Sequence, residues 1–101
     1  MGLGSLLGFD KKEKLETAIK EGAVIIDVRT PGEFNSGHIK QSINIPLDRI
    51  DSAYSKIKAY DKKVITCCKS GMRSGVAAGK LRKQGIDTIN GGAWNSLEQK
   101  L

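Results

Sequence analysis

The sequence predicts an α/β domain built on a parallel sheet. Three observations predict it. Ala23–Val28 is a nearly continuous apolar run, which suits a strand covered on both faces. Strand-like and helix-like segments alternate along the chain, the order expected when strands run parallel. Helix start and stop signals fall between the strand-like runs.

The elements follow in order. Asp10 caps a helix running to about Glu21, with Glu13 at the third position, Leu15 and Ile19 on the inner face and Gly22 past the end. Ala23–Val28 is the first strand and ends in Asp27-Val28-Arg29. Thr30-Pro31-Gly32-Glu33 starts a second helix: Thr30 caps, Pro31 fits the first helical position, and Glu33 can reach back to the capping amide. Ser42–Ile45 is a short strand stopped by Pro46, and from Asp48 a helix places Ile50, Ala53 and Ile57 on one face. Lys63–Cys67 is the next strand, and Cys68–Arg73 is a loop containing Gly71. Ser74–Gln84 is helical, with Val76, Ala77 and Leu81 inward and Gly85 as the stop. Asp87–Asn90 is the last strand, Gly91-Gly92 a turn, and Asn95–Leu101 a final helix.

At 101 residues the chain is expected to form one domain, residues 10–101, behind a short tail, residues 1–9. The tail lacks the basic start, longer apolar run and cleavage site of a secretory signal, and Leu6 stands where a myristoylation signal wants Ser or Thr. No apolar run is long enough to span a membrane. The net charge of +6 favours acidic partners or small anions, but the basic residues are spread out, with no aromatic-studded stripe, so nucleic acid is not expected as a partner. Lys11, Lys12 and Lys14 read as a solvated helix face.

The two cysteines, Cys67 and Cys68, are adjacent. Adjacent cysteines build no disulfide scaffold, and without C-x-x-C spacing or neighbouring histidines they make no metal site. No metal or other cofactor is expected. Free thiols fit a reducing compartment, so the cytoplasm is the expected location, with an exported origin left open. A monomer is expected.

The chemistry concentrates in Cys68-Lys69-Ser70-Gly71-Met72-Arg73-Ser74, where a strand feeds a helix. Ligands of open α/β sheets bind at the carboxyl ends of strands. A helix N-terminus offers free amides and partial positive charge, successive loop amides can converge on an anion, and Gly71 permits the turn. Cys68 opens this cradle with Lys69 and Arg73 close in sequence, and each of these features favours thiolate over thiol. Lowering a thiol pKa by about two units takes about 2.7 kcal/mol, within reach of a few charge-assisted hydrogen bonds.

These residues resemble the rhodanese family of single-domain sulfurtransferases over about Lys12–Leu101. The resemblance rests on four motifs in order: Asp27-Val28-Arg29 with Glu33-Phe34, Gly37-His38-Ile39 with Asn44-Ile45-Pro46, the Cys68–Ser74 loop, and Gly91-Gly92-Ala93-Trp94. It implies a parallel sheet of about five strands with helices on both sides. It implies that Cys68 takes a sulfane sulfur from a small anionic donor such as thiosulfate and carries it as a persulfide. Lys69, Ser70, Gly71, Met72, Arg73 and Ser74 would bind persulfide and donor, and cyanide, a thiol or a protein would accept the sulfur. Related phosphatases carry one more residue between Cys and Arg. The four residues between Cys68 and Arg73 are the sulfurtransferase length.

Two further functions stay open: a sulfur-relay or regulatory module that docks a protein and turns over little thiosulfate, and an inactive binding domain. The second is disfavoured because inactive relatives lose the Cys. Asp27, Arg29, Glu33 and His38 read as structural support, with Asp27 holding loop amides and Arg29 pairing with Glu33 across the helix start. Cys67, a departure from the family pattern, is either a buried small hydrophobe or a partner that resolves oxidised or persulfidated Cys68. Trp94 reads as packing.

Overall fold

The computed structural model describes residues 10–101; the expected tail, 1–9, lies outside the described residues. Four parallel strands, β1 (Val24–Asp27), β2 (Ile43–Asn44), β3 (Val64–Cys68) and β4 (Thr88–Ala93), form one sheet in the order β2-β1-β3-β4. The helices are α1 (Lys11–Lys20), α2 (Pro31–Ser36), α3 (Tyr54–Ala59), α4 (Met72–Lys83) and α5 (Trp94–Glu98), with a 3-10 segment over Leu47–Ala53. The fifth strand that the family resemblance implies is absent among the described residues, where four strand-forming runs already account for the sheet.

Local chemistry sets the helix starts. Asp10 and Thr30 each accept from the amide three residues on, and Glu13 and Glu33 reach back to the capping amides, so both capping boxes form. Pro31 takes the first helical position. The helix expected from Asp48 is instead 3-10 up to Ala53 and α-helical from Tyr54, yet Ile50 and Ile57 are buried as expected. The helix after the loop begins at Met72, because Gly71 caps it in the left-handed region at φ +101°.

Alternation along β3 divides the core. Val64 and Cys68 face one apolar cluster with Ile26, Val28, Ala77 and Leu81. Ile65 and Cys67 face the other, with Leu15, Ala18, Ile25 and Leu97. Val76, expected inward, is 53 % exposed, because Ala77 and Leu81 already fill the inner stripe of α4.

Gly91-Gly92, expected as a turn, lies inside β4. Thr66 pairs with Asn90 but Cys68 pairs with Ala93, so β4 carries an extra residue and bulges. Gly91 permits the close approach: a Cβ there would lie 2.6 Å from Ile65 Cγ2 and 2.8 Å from the Thr66 carbonyl oxygen. Gly92 takes φ +82°. The bulge brings Asn90 and Gly92 against the loop after β3.

Candidate active site

From β1 the chain turns to β2 on one side, and from β3 to β4 on the other, so the strand order reverses between β1 and β3. Crevices at such reversals, outside the carboxyl ends of the strands, are where open α/β sheets bind ligands. Cys68 closes β3 at that end, and Asp27 closes β1.

The Gly71 amide donates to Cys68 Sγ at 3.0 Å and the Ser74 amide donates at 3.4 Å. Both belong to the strand-to-helix turn, where amides of the first helical turn lack intrahelical partners. Burial alone raises the Cys68 pKa, but hydrogen bonds from the Ser74 side chain and from the Ser74, Gly71 and Ser70 amides outweigh it. The thiol sits below its ordinary value of 9.0.

Ser74 Oγ lies 3.4 Å from Sγ and 2.7 Å from Asn90 Oδ1, so its one proton goes to Asn90 when Cys68 is a thiol and is placed to turn to the sulfur when Cys68 is a thiolate. In the thiol state Cys68 therefore donates to Ser74, while the backbone amides are already placed for a thiolate. Sequence reasoning missed Asn90. Its Nδ2 donates to the Gly71 carbonyl at 3.0 Å and its Oδ1 also accepts from the Gly92 amide at 3.0 Å. One side chain thus braces both residues that hold the sulfur. The available signal was a polar residue at the carboxyl end of a strand, directly before Gly-Gly. Thr66 adds a second brace by donating to the Ser74 carbonyl at 2.8 Å.

Cys68 has no exposed surface, whereas Lys69, Ser70 and Met72 are exposed. A cavity of about 910 Å³ lies between α1 and β4 and is lined by Lys11, Lys14, Arg82 and Asn90 among others.

Arg73 does not reach the sulfur by hydrogen bonding. Its guanidinium makes two bonds to the Glu33 carboxylate, at 2.7 and 3.0 Å. This corrects the expectation that Glu33 pairs with Arg29. The Arg73 bonds, with help from Thr30, hold the Glu33 carboxyl down at about 2. Because that pKa is depressed in the fold, the stabilisation is complete above the ordinary value of 4.5 and is lost as pH falls through about 2.

Arg29 instead forms a buried ion pair with Asp27 at 2.7 Å, and Asp27 also accepts from the Arg29 amide at 3.0 Å. The remaining Arg29 donors meet the carbonyls of Gly37 at 2.7 Å and Glu33 at 3.3 Å, and the guanidinium lies 4.7 Å from the centre of a Trp94 ring. Asn44 Nδ2 donates to the carbonyls of Asp27 and Arg29. His38 stacks on Phe34 with ring centroids 3.7 Å apart and its Nδ1 donates to the Phe34 carbonyl at 2.7 Å. It makes no hydrogen bond to Cys68 among the described residues.

Cys67 is fully buried on the opposite face of the sheet from Cys68. Burial first, and the Asp27 charge second, push its thiol up to about 12. Cys67 thus packs as a buried small hydrophobe. Iodoacetamide is expected to label one thiol in the folded protein, Cys68, with a pH midpoint below 9.0. Cys67 should react only after denaturation. Peptide mapping after timed labelling checks both, and labelling of Cys67 in the folded protein would contradict its placement.

Among the described residues no group of three or more His, Cys, Asp or Glu could hold a metal ion, and no helix is long and apolar enough to cross a membrane.

The profile of the rhodanese-like domain family matches residues 11–95. A Bacillus subtilis protein of uncharacterised function, YqhL, is 45% identical over 67 residues, covering 66% of this chain and 52% of the relative. The chain thus spans about half the length of that relative. A putative mitochondrial thiosulfate sulfurtransferase of Schizosaccharomyces pombe is 34% identical over 95 residues, covering 80% of this chain and 67% of the relative. The crystal structure of a rhodanese-related protein from Thermoplasma volcanium superposes with a TM-score of 0.72 at 30% identity, covering 87% of each chain.

Proposed function

This chain belongs to the rhodanese-like domain family, and from that premise we propose that it moves a sulfane sulfur from thiosulfate, through a Cys68 persulfide, to cyanide or a thiol. The observation that carries the reading is the pair of amides, Gly71 at 3.0 Å and Ser74 at 3.4 Å, aimed at a sulfur whose pKa is lowered.

The steps follow from that arrangement. The Cys68 thiolate attacks the outer sulfur of thiosulfate. The S–S bond breaks and sulfite leaves with the electron pair, so Cys68 carries a persulfide. Donors that stabilise a thiolate also suit the persulfide anion that replaces it. The acceptor attacks the outer sulfur, the new S–S bond breaks, and the Cys68 thiolate returns. With cyanide the product is thiocyanate. This is covalent catalysis in two displacements, with ping-pong kinetics as its signature. Lys69 to Ser74 form the donor-binding loop in this scheme, and Asp27, Arg29, Glu33 and His38 support it.

A second reading, sulfur relay to a protein acceptor, is favoured by the apolar surface flanking the loop: Met72 is 80 % exposed and Val76, one turn further along α4, is 53 % exposed. Steady-state formation of thiocyanate from thiosulfate and cyanide tests the first reading. Parallel-line double-reciprocal plots are expected. A folded protein that accepts no sulfur from thiosulfate at any concentration would refute thiosulfate as donor.

A further inference from the structure

We propose that Glu33 is a specificity-determining residue: by holding Arg73 in a two-bond pair it removes a cation from the mouth of the cradle and turns the site toward singly charged sulfur donors and away from doubly charged ones. The donor half of this inference rests on the sulfur-transfer reading; the charge half does not.

The loop holds two cations, Lys69 and Arg73. Both terminal nitrogens of Arg73 are committed to Glu33, at 2.7 and 3.0 Å. Glu33 is not a side chain that happens to lie nearby. Its Oε1 also accepts from the Thr30 amide and from Thr30 Oγ1, each at 3.1 Å, because it closes the capping box of α2. The helix start therefore fixes the carboxylate in place, and it stays ionised at any working pH. The two side chains are 35 % and 32 % exposed, so the pair lies toward the surface rather than in the core. A donor approaching Cys68 meets Arg73 already neutralised. Its charge is met by the loop amides, the start of α4 and Lys69. A second negative charge on the donor gains no net attraction from the Arg73–Glu33 pair.

Thiosulfate and an aromatic thiosulfonate test this directly. Both present an outer sulfur on an S–S bond, the first as a dianion releasing sulfite and the second as a monoanion releasing sulfinate. Iodoacetate and iodoacetamide supply a parallel comparison that needs no sulfur transfer, since one is charged and the other neutral. Glu33→Gln keeps an acceptor for the Thr30 amide while removing the charge. In Glu33→Gln, kcat/KM for thiosulfate relative to thiosulfonate should rise severalfold, mainly through KM. The iodoacetate-to-iodoacetamide rate ratio at Cys68 should rise in the same direction, and added salt should diminish both gains. The double variant Glu33→Gln with Arg73→Gln should lose both gains. Unchanged ratios in Glu33→Gln, or gains that persist in the double variant, would overturn the proposal. If the alkylation ratio rises but neither donor transfers sulfur, the charge assignment stands and the sulfurtransferase reading fails.

Discussion

Arg29→Ala is expected to be the most destabilising single change on the polar side of the fold, costing about 3–5 kcal/mol. The cause is the partner left behind. Asp27 has no exposed surface, and its carboxylate takes three guanidinium contacts of 2.7–3.0 Å from Arg29. Without Arg29 a buried charge stands uncompensated, and the carbonyls of Gly37 and Glu33 lose their donors. The stacking of the guanidinium on Trp94 goes too. Arg29→Lys keeps the charge but not the planar fork that meets a carboxylate and two carbonyls together, so it should fall between Ala and wild type. In a domain of this size the Ala variant should melt at least about 10 °C lower. Urea titration with a shared slope gives the free-energy difference. A loss under about 1 kcal/mol would show that water satisfies Asp27 and that the buried pair does not organise the end of β1.

Cys68→Ser is expected to abolish thiosulfate turnover, whereas Cys67→Ser should retain it. The two residues are adjacent, yet they face opposite clusters of the core. Sulfur at 68 receives amides from Gly71 and Ser74, while the thiol at 67 is pushed up to about 12 by burial and by Asp27. A serine hydroxyl at 68 would occupy the same cradle but would remain protonated, so the first displacement has no nucleophile. Cys67→Ser places a hydroxyl in an apolar cluster and should cost stability rather than chemistry. Measuring turnover and melting together separates the effects. Residual turnover in Cys68→Ser above the uncatalysed rate would remove Cys68 from the reaction.

Much of this architecture is legible in the sequence because it is encoded locally. The apolar run Ala23–Val28, the capping boxes at Asp10 and Thr30, and Pro31 at the first helical position each specify structure within a few residues. The four motifs in order also suffice to identify the family whose profile matches residues 11–95. What escaped depends on contacts between distant segments. Arg73 and Glu33 lie 40 residues apart, and because that distant partner takes Glu33, Arg29 pairs with Asp27, two residues away, instead. Asn90 looks like an ordinary strand residue until the bulge at Gly91-Gly92 swings it against Gly71 and Ser74. Val76 was expected inward because the apolar pattern of α4 allows it; small residues at Ala77 and Ala78 fill that face instead.

In the proposed reaction Cys68 carries the transferred sulfur. Intact-protein mass spectrometry after brief exposure to thiosulfate, followed by peptide mapping, tests it most directly. The expected result is a gain of one sulfur atom on the peptide containing Cys68, absent in Cys68→Ser and discharged by cyanide with release of thiocyanate. A folded protein that gains no sulfur, or that gains it in Cys68→Ser, would contradict the account.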